Sequence, residues 1–311
     1  MFTTAFASKV ISPVASRQPG FVQAPIHLGL HIFLINPFLF NLLFVVTQFC
    51  IGVLILYKRT AKLGLYLSIG WGLIVWALGE AYGGLFSGHA MLLMGAPGAA
   101  ILYVFLSMSS LPKESDNQHN AYPAYWLIIV WAIIWVGAGI YQILPGQNTI
   151  GDISAVFINN SKQAPQWLSS IDKTSARFVH SFSQSNTIPE TARQMNMSSQ
   201  QMASMTSPPP LKLHSNTGYL IILCLSIAQI LVGVAVFISE QIRKVTIWLG
   251  IFVSLLFWMI GQNFGYLYSG LATDPNTGPL LVILGLAIMS QTSTSQNMSI
   301  AFAKLRKFTV G

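Results

Sequence analysis

Charge is scarce in this sequence. Only 8 of its 311 residues are Asp or Glu and 16 are Lys or Arg, 8% together, whereas a soluble globular domain carries roughly 25%. A chain so poor in charge cannot cover its surface with water-seeking groups, which excludes one or two ordinary soluble domains despite a suitable length. Cysteine is almost absent, with Cys50 and Cys224 alone and both inside apolar runs. That excludes a disulfide framework and predicts two small buried hydrophobes. No Walker loop, no dinucleotide glycine fingerprint after a strand, no CxxC or CxxCH and no defensible Ser-His-Asp set occurs. The first 25 residues lack the apolar core of a cleavable signal and are interrupted by Pro13, Pro19 and Pro25.

What is present is hydrocarbon. Hydrophobic residues make up 53% of the chain. A membrane-spanning helix needs about 20 mostly apolar residues, and seven stretches qualify: 37–57, 63–85, 97–111, 122–144, 218–238, 245–267 and 278–289, the third and last of them short. The expectation is an all-α polytopic bundle arranged as three, one and three spans. Its parts are an amphipathic lead (1–36), a first three-helix unit (37–111), a linking helix (112–144), a polar segment (145–217), a second three-helix unit (218–290) and a basic tail (291–311).

The net charge of +8 does not call for nucleic acid, because its placement matches the cytoplasmic bias of membrane loops. Lys58, Arg59, Lys62, Lys113, Arg243, Lys244, Lys304, Arg306 and Lys307 fall on one side if the spans alternate, and loops 86–96 and 268–277 on the other side hold no Lys or Arg. The expected orientation is amino terminus and segment 145–217 outside, carboxyl terminus inside, with the lipid bilayer as the main partner.

An internal repeat emerges at one offset. Trp76-Ala-Leu-Gly79-Glu80-Ala-Tyr82-Gly83-Gly-Leu85-Phe86-Ser87-Gly88 aligns with Trp258-Met-Ile-Gly261-Gln262-Asn-Phe264-Gly265-Tyr-Leu267-Tyr268-Ser269-Gly270. Continued without a gap, the alignment sets Ala90 on Ala272 and Pro97 on Pro279, and Gln48 and Gly52 match Gln229 and Gly233 one residue out of step. Both copies run in the same direction, so the repeats are parallel. The linking helix makes the second copy a four-helix unit, and the first copy is expected to lack the matching helix. The stretch Phe21-Val-Gln-Ala-Pro25 is similar to Ala164-Pro165-Gln166-Trp167-Leu168.

These motifs carry a resemblance. The first is similar to W-x-x-G-E-G-x-G-x-L-x-T-G, and Trp258 to Gly270 with Ala272-Thr-Asp274-Pro275-Asn276-Thr-Gly278-Pro279-Leu280 is similar to W-x-x-G-Q-x-x-G-x-x-x-T-G-x-A-T-D-P-N-x-G-P-L. Both belong to uncharacterised polytopic membrane proteins of actinobacterial type, and the duplicated unit resembles a tandem of DoxX-like domains. The departures are Ala81 and Asn263 for Gly, Ser87 and Ser269 for Thr, and the absent first helix. The resemblance implies a bacterial cytoplasmic membrane protein, an accessory or subunit near quinone-linked electron transfer, with quinone as the ligand and other membrane redox subunits as partners. A transporter of small solutes or ions and a scaffold without chemistry stay open beside it.

The residues themselves nominate a site. Glu80 is the only acid inside an expected span, and an ionisable group in a membrane is a functional candidate by default. Its alternative role is a carboxylate bonded to nearby backbone, and its partner in the repeat is Gln262. Trp76, Tyr82 and Trp258 can frame a flat ligand or serve as interfacial aromatics. Asp274 sits in a turn that Asn276 or Thr277 caps and Pro279 carries into a helix. The glycines at 79, 83, 84, 261 and 265 have the spacing that lets helices approach closely. No metal is expected. Thioethers suit cuprous copper, but His89, Met91 and Met94 are weak candidates. Met195, Met197, Met202 and Met205 read as linker, and His27 and His31 lack a third ligand.

Overall fold

The computed structural model describes residues 4, 7–15, 18–112, 125–144, 149–162, 164–182, 216–269 and 272–290. The loop holding Lys113, the methionines 195–205 and the basic tail lie outside the described residues. Among the described residues the chain is helical throughout, with no strand. Five of the described helices are long and apolar enough to cross a membrane: Pro37–Leu56, Ala61–Gly79, Tyr125–Ile143, Gly218–Phe237 and Glu240–Gly261. Three apolar helices are shorter, Gly20–Ile35, Ala99–Ser110 and Thr277–Ser290. The expected spans 97–111 and 278–289 thus form helices of less than membrane length, and 63–85 stops at Gly79 because the chain turns there. The lead expected over 1–36 carries a 16-residue helix that accommodates Pro25 in its interior.

In chain order the main helices are α1 (Gly20–Ile35), α2 (Pro37–Leu56), α3 (Ala61–Ile74), α4 (Ala99–Ser110), α5 (Tyr125–Ile143), α6 (Ile150–Ser161), α7 (Gln166–Ser181), α8 (Asn216–Val234), α9 (Glu240–Leu256) and α10 (Thr277–Ser290). Local chemistry sets several boundaries. Pro37 opens α2 at its first position while the Asn36 side chain accepts from the Leu39 amide, so α1 and α2 cannot run on as one rod. Thr149 and Asp152 form a reciprocal capping box at the start of α6. Ser239 caps α9, and Glu240 pairs with Lys244 one turn on at 2.8 Å.

The central core gathers Leu127, Trp131 and Trp135 of α5, Val232 of α8, Ile247 and Ile251 of α9 and Leu281 and Leu284 of α10. α5 and α8 approach through small residues: a Cβ on Gly139 would stand 2.6 Å from the Ser226 carbonyl, and one on Gly233 2.6 Å from the Val136 side chain. The polar segment contains the packed hairpin of α6 and α7, whose buried face meets Met91, Leu93 and Ile222. The outward faces are apolar too. Leu43, Phe49, Leu56, Ile133, Leu231 and Phe252 are all exposed, which suits hydrocarbon and would be an aggregation hazard in water. Cys50 and Cys224 lie on this outer surface and are unpaired, so the expectation that they are buried fails while the absence of a disulfide between them holds.

Candidate functional site

Glu80 sits just beyond the spanning helix and not inside it. α3 widens into a π turn over Val75–Gly79, and four residues then take left-handed backbone angles: Ala81 (φ 46°), Tyr82 (58°), Gly83 (66°) and Gly84 (74°). Side chains disfavour this region, at about 1–2 kcal/mol per residue. It persists because the turn is clamped. The Trp76 indole donates to the Pro97 carbonyl at 2.7 Å, and Glu80 accepts from the Ala99 and Ala100 amides at 3.1 Å each. Glu80 thereby caps α4 from a distance, placing a carboxylate where that helix has free N–H groups and the positive end of its dipole. The backbone bonds expected of its alternative role are therefore present.

The second motif has the same construction. A π turn over Phe257–Gly261 precedes left-handed angles at Asn263 (52°), Phe264 (53°), Gly265 (62°) and Tyr266 (55°). Trp258 donates to the Pro275 carbonyl at 2.7 Å, and the Gln262 Oε1 accepts from the Gly278 amide at 3.0 Å. Trp76 meets Tyr82 edge-on at 5.1 Å and Trp258 meets Phe264 edge-on at 5.0 Å. Pro97 therefore corresponds to Pro275, whereas the ungapped sequence match set it on Pro279. The tryptophan-to-carbonyl separation is 21 residues in one motif and 17 in the other, so the second loop is four residues shorter (21 − 17).

The two motifs also differ in what lies against their first glycine. The longer first loop lays Leu93 against Gly261, so closely that a Cβ there would stand 2.2 Å from the Leu93 carbonyl oxygen. Gln262 completes the seat by donating from Nε2 to the Leu92 carbonyl at 3.3 Å, and the Thr277 hydroxyl bonds the Gly95 carbonyl. Among the described residues nothing of this kind covers Gly79, where an added Cβ would meet Val75 at 3.4 Å. The space beside it is a cavity of about 460 Å³. Phe33, Phe44 and Trp71 form an aromatic wall, with Phe44 5.7 Å from Trp71 and 6.2 Å from Phe33. Gln48, Ser68 and Tyr103 add polar groups, and Glu80 with Asp274 borders the same space. Asp274 is held in place by accepting from the Asn276 amide at 2.6 Å and the Thr273 hydroxyl at 3.0 Å. A pocket of this size, mostly apolar with a few converging polar groups, is how small-molecule sites are commonly built.

The nominated residues thus divide. Glu80 and Asp274 meet at the cavity, and Trp76 and Tyr82 brace the turn behind it. Gln262 and Trp258 stand at the filled counterpart, with both ends of the Gln262 amide engaged. Tyr103 and Ser68 went unrecognised, since one aromatic or hydroxyl in an apolar helix carries no periodic signal. Gln48 was visible only as a repeat match. Of the weak metal candidates, Met91 is 2% exposed within the core and Met94 48% exposed, so the two thioethers have different settings. No cluster of three His, Cys, Asp or Glu able to hold a metal occurs among the described residues. Comparison with family models, with curated proteins and with solved structures returns no match.

Proposed function

We propose that this chain is a DoxX-like integral membrane protein of two parallel, duplicated helical units, and that its first unit binds a lipophilic ring compound of the quinone class in the cavity at Glu80. The observation that carries the reading is the open space at Gly79, opposite a second motif whose matching space is filled by Leu93. The aromatic wall suits a flat ring, and Tyr103, Gln48 and Ser68 supply donors for ring carbonyls. The shared clamp geometry of the two motifs supports duplication. The basic turn at Lys58 and Arg59, at the far end of α3 from Glu80, supports an orientation that places the cavity toward the outer face of a bacterial cytoplasmic membrane, where membrane redox subunits are the partners.

The test is binding of a short-chain benzoquinone to purified protein, read by quenching of tryptophan fluorescence. Saturable quenching is expected for the wild type, with at least a tenfold loss in Gly79→Leu, because that side chain would occupy the space that Leu93 occupies at Gly261. Equal quenching in both would sink the proposal. A second reading draws on the two carboxyl groups at one cavity end: a proton-coupled carrier in which Glu80 takes the coupling proton. It requires gradient-driven uptake in vesicles that disappears in Glu80→Gln. If neither binding nor uptake is found, the scaffold reading stands.

A further inference from the structure

The hairpin of α6 and α7 holds a polar cluster that the cavity does not use. α7 buries Leu168, Asp172 and Ala176 along one stripe, and Asp172 is 0% exposed. Neither of its carboxylate oxygens has a hydrogen-bond partner among the described residues. The fold does not require a carboxyl there. Pro165 before α7 and Pro19 before α1 share one extended backbone (φ −55°, ψ 154° and φ −65°, ψ 155°), and the residue seven positions on from Pro19 is the buried Ile26. An aliphatic side chain is enough to pack that position in the first half.

In the first half Ile26 packs in one cluster with Ala81, and the positions that match these two are Asp172 and Asn263. The Tyr266 and Tyr268 hydroxyls lie within its electrostatic reach. Tyr266 donates to the Asn160 Oδ1, and the Asn263 Nδ2 donates to the Asn160 carbonyl at 3.2 Å. This leaves the Asn263 Oδ1 buried without a partner, in a residue that is itself 0% exposed. The first motif has Ala81 and Gly84 where the second has Asn263 and Tyr266, so the polar set belongs to the second half alone. Among the described residues no cation balances Asp172. Lys173 and Arg177 occupy the exposed face of α7, as does His180, and Lys162 is exposed and bonded to Asn159. Asp152, the acid of α6, is at that helix's other end and engaged with Thr149. The only titratable groups that reach Asp172 from segment 263–269 are the two phenols.

A buried carboxylate without a counter-charge is costly, and it neutralises by taking up a proton or a cation. Oxygen donors without sulfur or imidazole select a hard ion. One carboxylate among neutral oxygens balances a single positive charge. We propose that Asp172, with oxygens drawn from Asn263, Asn160 and the tyrosines, forms a binding site for a monovalent hard cation of the sodium type. Protons compete for it, since burial raises the Asp172 carboxyl from its ordinary range to about 6. This site is independent of the cavity and of the quinone reading.

The experiment is thermal unfolding of the purified full chain in detergent, in choline chloride at constant ionic strength, with NaCl, KCl or CaCl2 substituted in turn. At pH 7.5 sodium should raise the midpoint saturably, by about 5 °C at a hundredfold excess over its dissociation constant, and potassium should do so less. At pH 5 the sodium effect should vanish, because the proton then occupies the carboxyl. Asp172→Asn should abolish the response at pH 7.5. Should that variant not fold, Asp172→Ile, which copies the first half, serves instead. Identical midpoints in sodium and choline at pH 7.5 overturn the proposal, as does a sodium response that persists without the carboxyl. A response confined to calcium overturns the monovalent assignment, and one confined to pH reduces the site to a proton site.

Discussion

Gly83→Ala should yield almost no folded protein, while Gly84→Ala should still fold. Both glycines have left-handed angles, φ 66° and 74°, so both substitutions carry the same backbone cost of about 1 kcal/mol. They differ in what the new methyl meets. At Gly84 the nearest atom would be the Ser87 hydroxyl at 3.7 Å, an ordinary contact. At Gly83 the Cβ would stand 1.8 Å from the Pro97 carbonyl oxygen and 2.7 Å from the Gly98 nitrogen. That carbonyl is also the acceptor for Trp76, and the next two amides beyond Gly98 bond Glu80, so the loop cannot retreat without releasing the whole clamp. We expect a loss of about 4 kcal/mol or more, at the exceptional end for single substitutions. Fluorescence-detected size exclusion and thermal unfolding in detergent measure it. A Gly83→Ala protein as monodisperse and stable as Gly84→Ala would show that the loop does not lie where this structure puts it.

The acid and the amide should prove unequal when exchanged. Glu80→Gln keeps Oε1 to accept from the Ala99 and Ala100 amides and loses the charge and the second acceptance from Ala100 by Oε2, a cost of about 1–2 kcal/mol. Gln262→Glu has no such tolerance. Gln262 is 2% exposed and uses both ends of its amide, the oxygen toward the Gly278 amide and the nitrogen toward the Leu92 carbonyl. A carboxylate would turn an oxygen toward that carbonyl in a buried setting, or else take up a proton to serve as donor. The expected loss is about 3–5 kcal/mol near neutral pH. It should shrink as the pH falls, since the protonated carboxyl restores a donor. Unfolding midpoints of the two variants between pH 5 and 8 decide this. Equal costs, or a larger one for Glu80→Gln, would remove the asymmetry on which the first-half assignment rests.

The helical, membrane-like character was legible because it is written in bulk composition and in apolar runs, which do not depend on tertiary detail. The paired motifs were legible as well, and Trp76 and Glu80 do act together. The register beyond them was not. Matching identities set Pro97 on Pro279, although the contact that defines the loop is the carbonyl receiving the indole hydrogen, which belongs to Pro275. A four-residue difference in loop length leaves no trace in side-chain identity, yet it moves the matching carbonyl from Pro279 to Pro275. Asp172 was hidden for another reason. Helix α7 carries Trp167, Ile171 and Phe178 on its exposed side, so hydrophobic pattern alone points away from the face that packs. A charged residue between Leu168 and Ala176 breaks the stripe that would otherwise reveal it.

The seating of the first loop on the second motif also has a consequence for biosynthesis. Leu92 leaves the ribosome 170 residues before Gln262, which at roughly 5–20 residues per second is a delay of about 10–30 s. Throughout that interval α2, α3 and α4 can be in place, with the Pro97 end of the loop held by Trp76, while Leu92 and Leu93 have no second motif to rest on. The first half must therefore wait, incomplete, for α9 to arrive. During that wait its apolar Leu92 and Leu93 are open to a chaperone, to a protease or to a second copy of the same unfinished chain.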